Sequence, residues 1–482
     1  MGELLESLQN YADSDYLPMH MPGHKRRMHD MGTAGNPYFI DITEIEGFDD
    51  LHHAKGILQK AQQRAADLYH SEETHYLVNG STAGILSAVS GCTDFGGKIL
   101  AARNSHKSVY HAILLRGLQT EYLYPQSMGN MGINGAVFPE TVENALNSHP
   151  DIQAVVITSP TYDGVVSDVR KISEIVHQKS IPLIVDEAHG AHFPFSTHFP
   201  EDSVSCKADV VIHSLHKTLP ALTQTACIHL NGSLINREKI RRYLSVYQTS
   251  SPSYILMAAL DECVEWITGH KDAFNLFFER LHKIRKELRN MKLLKLLDIP
   301  GMDESKILVS VKETALCGQE LAGILREEFH VEVEMACGTY VCAITTVMDS
   351  EENLEYLKKA FLTIDGRLFE QRPEKTSSEQ NRQSVTDEVL RTEPVCTLLE
   401  AEKEEQESVS LKKAAGRISG EFVTLYPPGI PLLVPGEMIT PQIQERLEQY
   451  GKDGLEVQGI CKDHIRVFKR RKTGNRWERY FV

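Results

Sequence analysis

The sequence predicts an α/β protein whose main domain is a largely parallel sheet with helices on both faces. Between about residues 55 and 235, short apolar runs alternate with segments of helical periodicity. The runs "KILAA", "AVVITS", "PLIVDEA" and "DVVIHS" are nearly continuous apolar stretches, which is typical of strands that are buried on both faces. Ligands of such sheets bind at the carboxyl ends of the strands, so residues that follow these runs are candidate site residues.

Smaller units follow the large domain. A helical pattern over roughly residues 270–292 leads into the α+β pattern of "KILVSVKE", "AGILREEF" and "VEVEMACGTYVCAITTV". A polar, charge-rich stretch comes next, and a last α+β unit is centred on "LYPPGIPLLVPGE". We therefore predict an N-terminal segment and large domain over 1–270, a connecting helix and small α+β domain over 271–366, a polar linker over 367–409 and a C-terminal α+β domain over 410–482.

The composition excludes several classes of protein. The 482 residues carry 51 basic and 66 acidic side chains, and the formal net charge of −15 argues against nucleic acid or an anionic membrane as a partner. The nine cysteines are scattered without a CxxC pair, which predicts a reducing compartment. The first residues hold no apolar signal core, and no apolar run reaches about 18 residues. We expect a soluble cytoplasmic protein that binds a small molecule.

The strand-to-helix junction in "LVNGSTAGILSAV" is the first candidate site. Gly80, Ser81 and Thr82 stand where the strand ends, so backbone N–H groups, two hydroxyls and the positive end of a helix face one place. This predicts an anion site, most simply for a phosphate. The alternative is ordinary helix capping by serine and threonine, and the junction alone favours neither.

A carboxylate ends the next candidate strand, in "IPLIVDEAHGAHF". Asp186 is costly to bury unless it meets a cation or a protonated nitrogen. His189 and His192 are three residues apart, but no third metal ligand has suitable spacing. We therefore predict no metal and assign the histidines to the lining of a polar pocket.

A lysine follows the last of these strands, in "DVVIHSLHKTL", with Ser214 and His216 beside Lys217. A phosphate site, a buried carboxylate and a lysine on strand ends match the needs of pyridoxal phosphate. The lysine forms a Schiff base, the carboxylate keeps the pyridine nitrogen protonated and the helix end binds the phosphate. His106, just after "KILAA", is placed to lie on the cofactor ring, and its alternative is a capped surface histidine.

A series of motifs in order along nearly the whole chain resembles the Orn/Lys/Arg decarboxylases: "MPGHKRR", "DITEIEGFDDLHHAKGIL", "NGSTAGI", "NSHKSVYHA", "SPTYDGV", "VDEAHGAHF", "SLHKTLPALTQTA", "TSSPSYILMAALD" and "YPPGIPLLVPGE". The resemblance implies a fold-type I pyridoxal-phosphate enzyme with a C-terminal decarboxylase domain. It implies that Lys217 forms the Schiff base, Asp186 pairs with the pyridine nitrogen and His106 stacks on the ring. We add His189 to these catalytic and cofactor-binding residues. The phosphate contacts implied are Gly80, Ser81, Thr82, Ser214 and His216.

The stretch "YQTSSPSYILMAAL" predicts an active site shared by two chains. Hydroxyl residues that include Ser250 and Ser251 precede a helix and make a second anion-binding end. The resemblance implies that they reach a neighbouring subunit's cofactor, so we expect a homodimer or a dimer-based oligomer. The alternative is a simple cap by Ser253. Large family members carry an N-terminal wing that builds decamers, whereas here the first motif begins at Met21, as in the short Gram-positive-type enzymes.

The same scaffold serves aminotransferases, aldolases and decarboxylases, so the fold does not select the reaction. Aminotransferases commonly bind the substrate's α-carboxylate with an arginine of the small domain, and no arginine occurs between His330 and Asp365. This favours CO₂ loss, with Arg326 or a large-domain arginine left open. We predict decarboxylation of arginine, or else of lysine or ornithine, to an amine of polyamine biosynthesis.

A basic substrate needs a carboxylate for its distal cation. We predict Glu437 first, because it follows two Pro-Gly turns within an apolar stretch, and then Asp163 and Glu44. Each also has an ordinary explanation as a cap, a turn residue or a surface charge. For the neighbouring Asp49 and Asp50 that explanation is at least as good.

The competing class is a non-catalytic regulator that reuses the fold. The C-terminal "HIRVFKRRKTGNRWERYFV" is basic and contains Trp477 and Tyr480, which are features of nucleic-acid binding. However, "TGN" between two alternating runs predicts a hairpin, and the overall charge is wrong for DNA. With every cofactor residue in place, we favour the enzyme.

Overall fold

The computed structural model describes residues 10–26, 37–126, 128, 133–371, 390–425, 429–452 and 457–470. Within these ranges, no helix has the length and apolar character needed to cross a membrane.

A seven-stranded sheet forms the centre of the large domain. After a short N-terminal strand, β1 (Leu17–Met19), its strands in chain order are β2 (Glu73–Leu77), β3 (Lys98–Ala102), β4 (Gln119–Leu123), β5 (Ile152–Thr158), β6 (Leu183–Asp186), β7 (Val210–His213) and β8 (Ala226–Leu230). The spatial order is β2-β8-β7-β6-β5-β3-β4, and β3 to β7 run parallel. The predicted parallel-rich sheet is confirmed.

Strand β8 runs antiparallel to both of its neighbours, β7 and β2. Only the single-turn helix Leu215–Thr218 and a loop connect β7 to β8. A parallel crossover needs a longer connection, usually with a full helix, so the chain turns back instead.

Helices cover both faces of this sheet, as the sequence predicted. On β7, Val210 and Ile212 pack in one apolar cluster while Val211 packs in another, because successive side chains of a strand point to opposite faces. The helices over the first face are Gly80–Cys92, Lys107–Arg116 and Arg237–Tyr247, and those over the second are Pro139–Ser148 and Val169–Gln178. Helices Ile57–Tyr69 and Tyr254–Gly269 contribute to a third cluster.

The small domain is an antiparallel sheet with helices, and the N-terminal segment joins it. The expected long helix runs over Lys271–Leu288, and helices Gly318–Phe329 and Glu351–Glu370 follow. The strands are β9 (Lys295–Leu296), β10 (Lys306–Ser310), β11 (Val331–Val333), β12 (Met335–Ala336) and β13 (Tyr340–Ile344). The four-stranded sheet has the order β12-β13-β10-β9, and β11 pairs in parallel with β1.

The C-terminal unit contains two three-stranded sheets around its own apolar cluster. Its strands are β14 (Gln406–Ser410), β15 (Val423–Leu425), β16 (Ile430–Leu433), β17 (Val457–Gln458), β18 (Ile460–Cys461) and β19 (His464–Phe468), and its helices are Leu398–Ala401 and Pro441–Lys452. The sheets have the orders β14-β19-β18 and β16-β15-β17.

The stretch predicted as a polar linker, 367–409, contains regular structure at both ends. Helix Glu351–Glu370 continues into its start, and helix Leu398–Ala401 and most of β14 belong to its end. Its centre, 372–389, lies outside the described residues, as do the predicted "TGN" hairpin, Trp477 and Tyr480. The domain boundaries stay a prediction.

Candidate active site

The predicted site residues converge at the carboxyl edge of the large sheet. Asp186 is the last residue of β6, and Lys217 lies on the short helix that follows β7. His106 immediately precedes helix Lys107–Arg116, after β3. Because parallel strands end at one edge, these three side chains come from distant parts of the chain to one region.

The amine of Lys217 contacts an imidazole. Its Nζ lies 2.9 Å from Nε2 of His189. Burial lowers the pKa of Lys217, an effect that Asp186 opposes and the ammonium of Lys306 reinforces. Burial also holds the pKa of His189 well below its usual range, and Lys217 acts in the same direction. The imidazole is therefore uncharged near neutral pH, and the amine is shifted toward its nucleophilic, uncharged form.

Asp186 is a buried carboxylate that faces Lys217. One of its oxygens accepts the Ala188 N–H at 3.2 Å. Burial raises the pKa of Asp186, and the positive charge of Lys217 opposes that rise. A carboxylate in such a place is stabilised by a cation or a protonated ring nitrogen.

His106 begins a helix and stays uncharged. Its Nδ1 accepts the Ser108 N–H at 3.3 Å and lies 2.9 Å from the Ser108 hydroxyl. Burial, with Lys217 as the next cause, lowers the pKa of His106 to about 4. The capping predicted as an alternative is present, and it leaves the other ring nitrogen and the ring faces available.

The predicted anion site has an open helix start. Gly80 has a φ of 71°, a left-handed conformation that favours glycine, and Ser81 and Thr82 follow in the first turn of helix Gly80–Cys92. The residue before the helix, Asn79, makes no side-chain cap. The first N–H groups of a helix lack partners within the helix, so they are available to an anion here.

Two residues near Lys217 complete the predicted phosphate contacts. The Ser214 hydroxyl is buried and has no hydrogen-bond partner among the described residues. His216 Nδ1 lies 2.8 Å from the carbonyl oxygen of Thr225, to which it donates. Burial lowers the pKa of His216 to about 4. An unpartnered buried hydroxyl beside a lysine fits a site built for a bound polar group.

The hydroxyl cluster before helix Tyr254–Gly269 lies beside the anion site of its own chain. The Thr249 N–H donates to the side-chain oxygen of Asn79 at 3.3 Å. Ser253 caps the helix, as the alternative explanation expected. Ser250 and Ser251 are exposed. Their contact with a second subunit stays a prediction.

The carboxylate predicted first for the substrate, Glu437, is fully buried and engaged. Arg103 donates to its Oε2 at 3.0 Å, and the Val434 N–H donates to the same atom at 2.8 Å. The Thr392 hydroxyl donates to the other oxygen at 2.5 Å. This arrangement joins the C-terminal unit to the large domain, and the substrate role of Glu437 stays a prediction.

The other two predicted carboxylates differ in exposure. Asp163 is buried and accepts the Tyr340 hydroxyl at 2.5 Å, and burial raises its pKa to about 6. Glu44 is exposed. Asp49 and Asp50 accept backbone N–H groups of residues that follow them, as caps do. No group of three or more possible metal ligands occurs in the described ranges.

The sequence did not single out Tyr162 and Glu334, which the structure brings to the site. The Tyr162 ring packs edge-on against His189, with ring centroids 5.1 Å apart. Its hydroxyl donates to Glu334 at 2.6 Å. The motif "SPTYDGV" contains Tyr162, but Glu334 lies in the alternating pattern "VEVE", which is typical of a half-buried strand whose glutamates face solvent.

Comparisons with known proteins match both the large domain and the C-terminal unit. The family model "Orn/Lys/Arg decarboxylase, major domain" matches residues 3–312, and that of the C-terminal domain matches 377–453. The chain is 31% identical to an arginine decarboxylase of Bacillus subtilis, over 98% of both chains. It is also 31% identical to the arginine decarboxylase of Bacillus anthracis, over 97% of both chains.

Solved structures show the same fold. The constitutive lysine decarboxylase of E. coli superposes with a TM-score of 0.76 at 19% identity, covering 97% of this chain and 82% of that one. An alanine–glyoxylate aminotransferase from Nostoc sp. superposes with a TM-score of 0.58 at 13% identity, covering 73% and 95%. These matches confirm the predicted fold class. The family matches confirm the resemblance seen in the motifs: the chain belongs to the Orn/Lys/Arg decarboxylase family, whose members are pyridoxal-phosphate-dependent carboxy-lyases.

Proposed function

We propose that this protein removes the α-carboxylate of arginine as CO₂ with pyridoxal phosphate as its cofactor. The observation that carries the proposal is the meeting of the Lys217 amine, the Asp186 carboxylate and the His106 imidazole at one edge of the sheet. The choice of arginine rests on the relatives in Bacillus that are named arginine decarboxylase.

The residues present fit this cofactor. The open start of helix Gly80–Cys92 and the unpartnered Ser214 hydroxyl suit a phosphate, and the buried amine of Lys217 suits an aldehyde. Asp186 suits a pyridine nitrogen that keeps its proton. Bound pyridoxal phosphate supplies a carbonyl that condenses with amines and a ring that accepts electrons from the bond that breaks.

The chain's own residues have distinct tasks in this proposal. Lys217, with its pKa lowered by burial, supplies an uncharged amine as a nucleophile and accepts or returns a proton at Nζ. His189, 2.9 Å away, orients that amine. Asp186 holds a proton on its ring partner through charge, and His106 offers an uncharged ring face for stacking.

Decarboxylation is favoured over transamination by the engagement of Arg326. This arginine, the one named as available at the small domain, forms an ion pair with Glu332 at 2.9 Å. It is therefore occupied, and a substrate carboxylate that lacks a firm partner is more easily lost as CO₂.

We further propose that the protein forms a homodimer with shared active sites. We also propose that it acts in the cytoplasm and takes part in polyamine biosynthesis. The segment before helix Ile57–Tyr69 exposes large apolar side chains, among them Ile45, Phe48 and Ile57 at its end. His52 of this segment contacts the carbonyl oxygen of Thr249. Such a patch is typical of a protein–protein contact. None of the nine cysteines, all of which lie in the described ranges, forms a disulfide, as expected in a reducing compartment.

The test is CO₂ release from arginine, lysine and ornithine side by side, with and without added pyridoxal phosphate. We expect the largest kcat/KM for arginine and dependence on the cofactor. Amino-group transfer to a keto acid without CO₂ release would replace the proposal with an aminotransferase. A protein that binds the cofactor but turns over none of the three amino acids would be assigned to the regulator class.

A further inference from the structure

Glu334 joins three parts of the chain next to the candidate active site. It lies between β11 and β12 of the small domain. Its Oε1 accepts the hydroxyl of Tyr162, from the large domain, at 2.6 Å. Its Oε2 accepts the N–H of Met21, from the N-terminal segment, at 2.8 Å. The carboxylate is thus held in a fixed orientation by two neutral donors.

Direct contacts lead from this carboxylate to Lys217. The ring of Tyr162 packs edge-on against His189, and His189 Nε2 lies 2.9 Å from the Lys217 amine. The negative charge of Glu334 also acts on Lys217, where it opposes the lowering of the pKa by burial. Glu334 is therefore linked to Lys217 through Tyr162 and His189 and by its charge.

The hydrogen bonds of the Glu334 carboxylate come from neutral donors, and the charges of Lys25 and Lys217 act on it without a short ion pair. In the part of the chain that the structure describes, its hydrogen bonds come from Tyr162 and Met21, and no lysine, arginine or histidine forms an ion pair with it. Each carboxylate oxygen accepts more than one hydrogen bond, so lone pairs remain. A half-buried carboxylate with remaining lone pairs and no ion-pair partner in contact can accept hydrogen bonds from a cationic ligand.

The other candidate carboxylates are less suited to a cationic ligand. Glu437 is already paired with Arg103, and Glu44 is exposed. Asp163 is buried and accepts the Tyr340 hydroxyl, and burial raises its pKa to about 6. Glu332, two residues before Glu334, pairs with Arg326.

We propose that Glu334 binds the distal cation of the basic amino acid and so sets the preference for a charged side chain. The inference rests on the proposed function, because it assumes a substrate whose α-amino group is directed to Lys217. The side chain of that substrate then extends past Tyr162, and its guanidinium or ammonium group meets the free lone pairs of Glu334.

The test compares two ligands that differ in charge but hardly in shape: agmatine, the amine that arginine yields on loss of CO₂, and its ureido analogue, in which the guanidinium is replaced by neutral urea. Dissociation constants are measured by calorimetry on protein loaded with pyridoxal phosphate. For Glu334→Gln we expect agmatine to bind about 10- to 100-fold more weakly, the range of one charged hydrogen bond, and the ureido analogue to change less than about threefold. Equal changes for the two ligands, or none, would overturn the inference.

Matched variants separate charge from packing. Glu332→Gln removes a carboxylate from the adjoining strand and should leave the ratio of the two affinities unchanged. Tyr162→Phe removes one neutral donor and keeps the Glu334 charge, so the ratio should persist even if both affinities fall. If Glu334→Gln does not fold or load cofactor, Glu334→Asp keeps the charge and moves it back by one methylene. The Glu334→Asp variant should bind agmatine more weakly while its affinity for the ureido analogue changes little. An unchanged ratio of the two affinities would overturn the inference.

The two proposals fail in different ways. A wild-type protein that releases no CO₂ from arginine, lysine or ornithine contradicts the proposed function. If the wild type is active but the Glu334→Gln variant distinguishes agmatine from its ureido analogue as well as the wild type does, only the role of Glu334 is contradicted.

Discussion

Lys217 Nζ and His189 Nε2 lie 2.9 Å apart, so the amine that the sequence placed after β7 is held by an imidazole from the loop after β6. Burial lowers the pKa of both groups. Because neither the amine nor the imidazole is readily protonated, the two groups form one hydrogen bond and do not repel each other as two cations would. The arrangement favours an uncharged, oriented amine at the edge of the sheet.

Lys217→Ala should abolish covalent capture of pyridoxal phosphate. In the wild type, borohydride reduction should fix the cofactor to the peptide that contains residue 217, detected by mass spectrometry. The variant should show no such adduct and no measurable CO₂ release, because the amine that follows β7 is lost. Lys207→Ala, at a surface loop, is the control. An adduct at another lysine with retained turnover would contradict the assignment.

Asp186→Asn should separate binding from catalysis. The phosphate contacts do not involve Asp186, so the variant should still bind pyridoxal phosphate. Its kcat should fall at least about a hundredfold, because a lost charge-assisted contact of about 3 kcal/mol has that effect on a rate. Steady-state CO₂ release and a cofactor titration measure the two parts. An unchanged kcat would remove Asp186 from the mechanism.

His106 should make stability depend on pH between about 4 and 6.5. Burial lowers its folded pKa to about 4 from 6.5, so in this range the unfolded chain binds more protons than the folded one. The free energy of unfolding therefore falls as the pH falls. His106→Asn should reduce that fall, by up to about 3 kcal/mol at pH 4. Urea unfolding of both proteins without added cofactor, at several pH values, gives the difference. Parallel curves for the two proteins would contradict it.

Glu437→Gln should destabilise the protein by about 3 to 5 kcal/mol, because it leaves the buried guanidinium of Arg103 without its counter-charge. Glu201→Gln, which breaks the exposed pair with Arg170, should cost less than about 1 kcal/mol. Urea unfolding measures both. A loss for Glu437→Gln no larger than that of the control would show that the pair is not structural, and a selective rise in KM would restore its predicted substrate role.

A shared active site should permit complementation between two inactive variants. Lys217→Ala is mixed with a variant in which Ser250, Ser251 and Ser253 are all alanine. If each site takes residues from two chains, one of the two sites in a mixed dimer carries no lesion, so CO₂ release should return after subunit exchange. No recovery despite demonstrated exchange would leave the serines with a role within their own chain, where Ser253 caps a helix.

Local patterns in the sequence were sufficient to predict the parallel-rich sheet and to propose residues for the cofactor site. The parallel strands were predicted from apolar runs of strand length that alternate with segments of helical periodicity. A strand that is buried on both faces has consecutive apolar residues, so its pattern is visible locally. Lys217, Asp186 and His106 could be found because strand ends of such a sheet meet at one edge. The antiparallel direction of β8 was not predicted, since it depends on the length of one connection.

Only the tertiary structure decided which carboxylates are available to a cation. The sequence predicted Glu437 as a substrate ligand, and the structure shows that Arg103, more than three hundred residues away, donates to it; the substrate role stays a prediction. Glu334 looked like a surface residue of an alternating strand, but it receives donors from Met21 and Tyr162 at the site. The hydrogen bonds and ion pairs of a carboxylate depend on neighbours that are distant in the chain, and these neighbours cannot be predicted from local periodicity. The sequence by itself determined the fold class and proposed Lys217 as the reactive amine, whereas the charged groups around that amine depend on the folded packing.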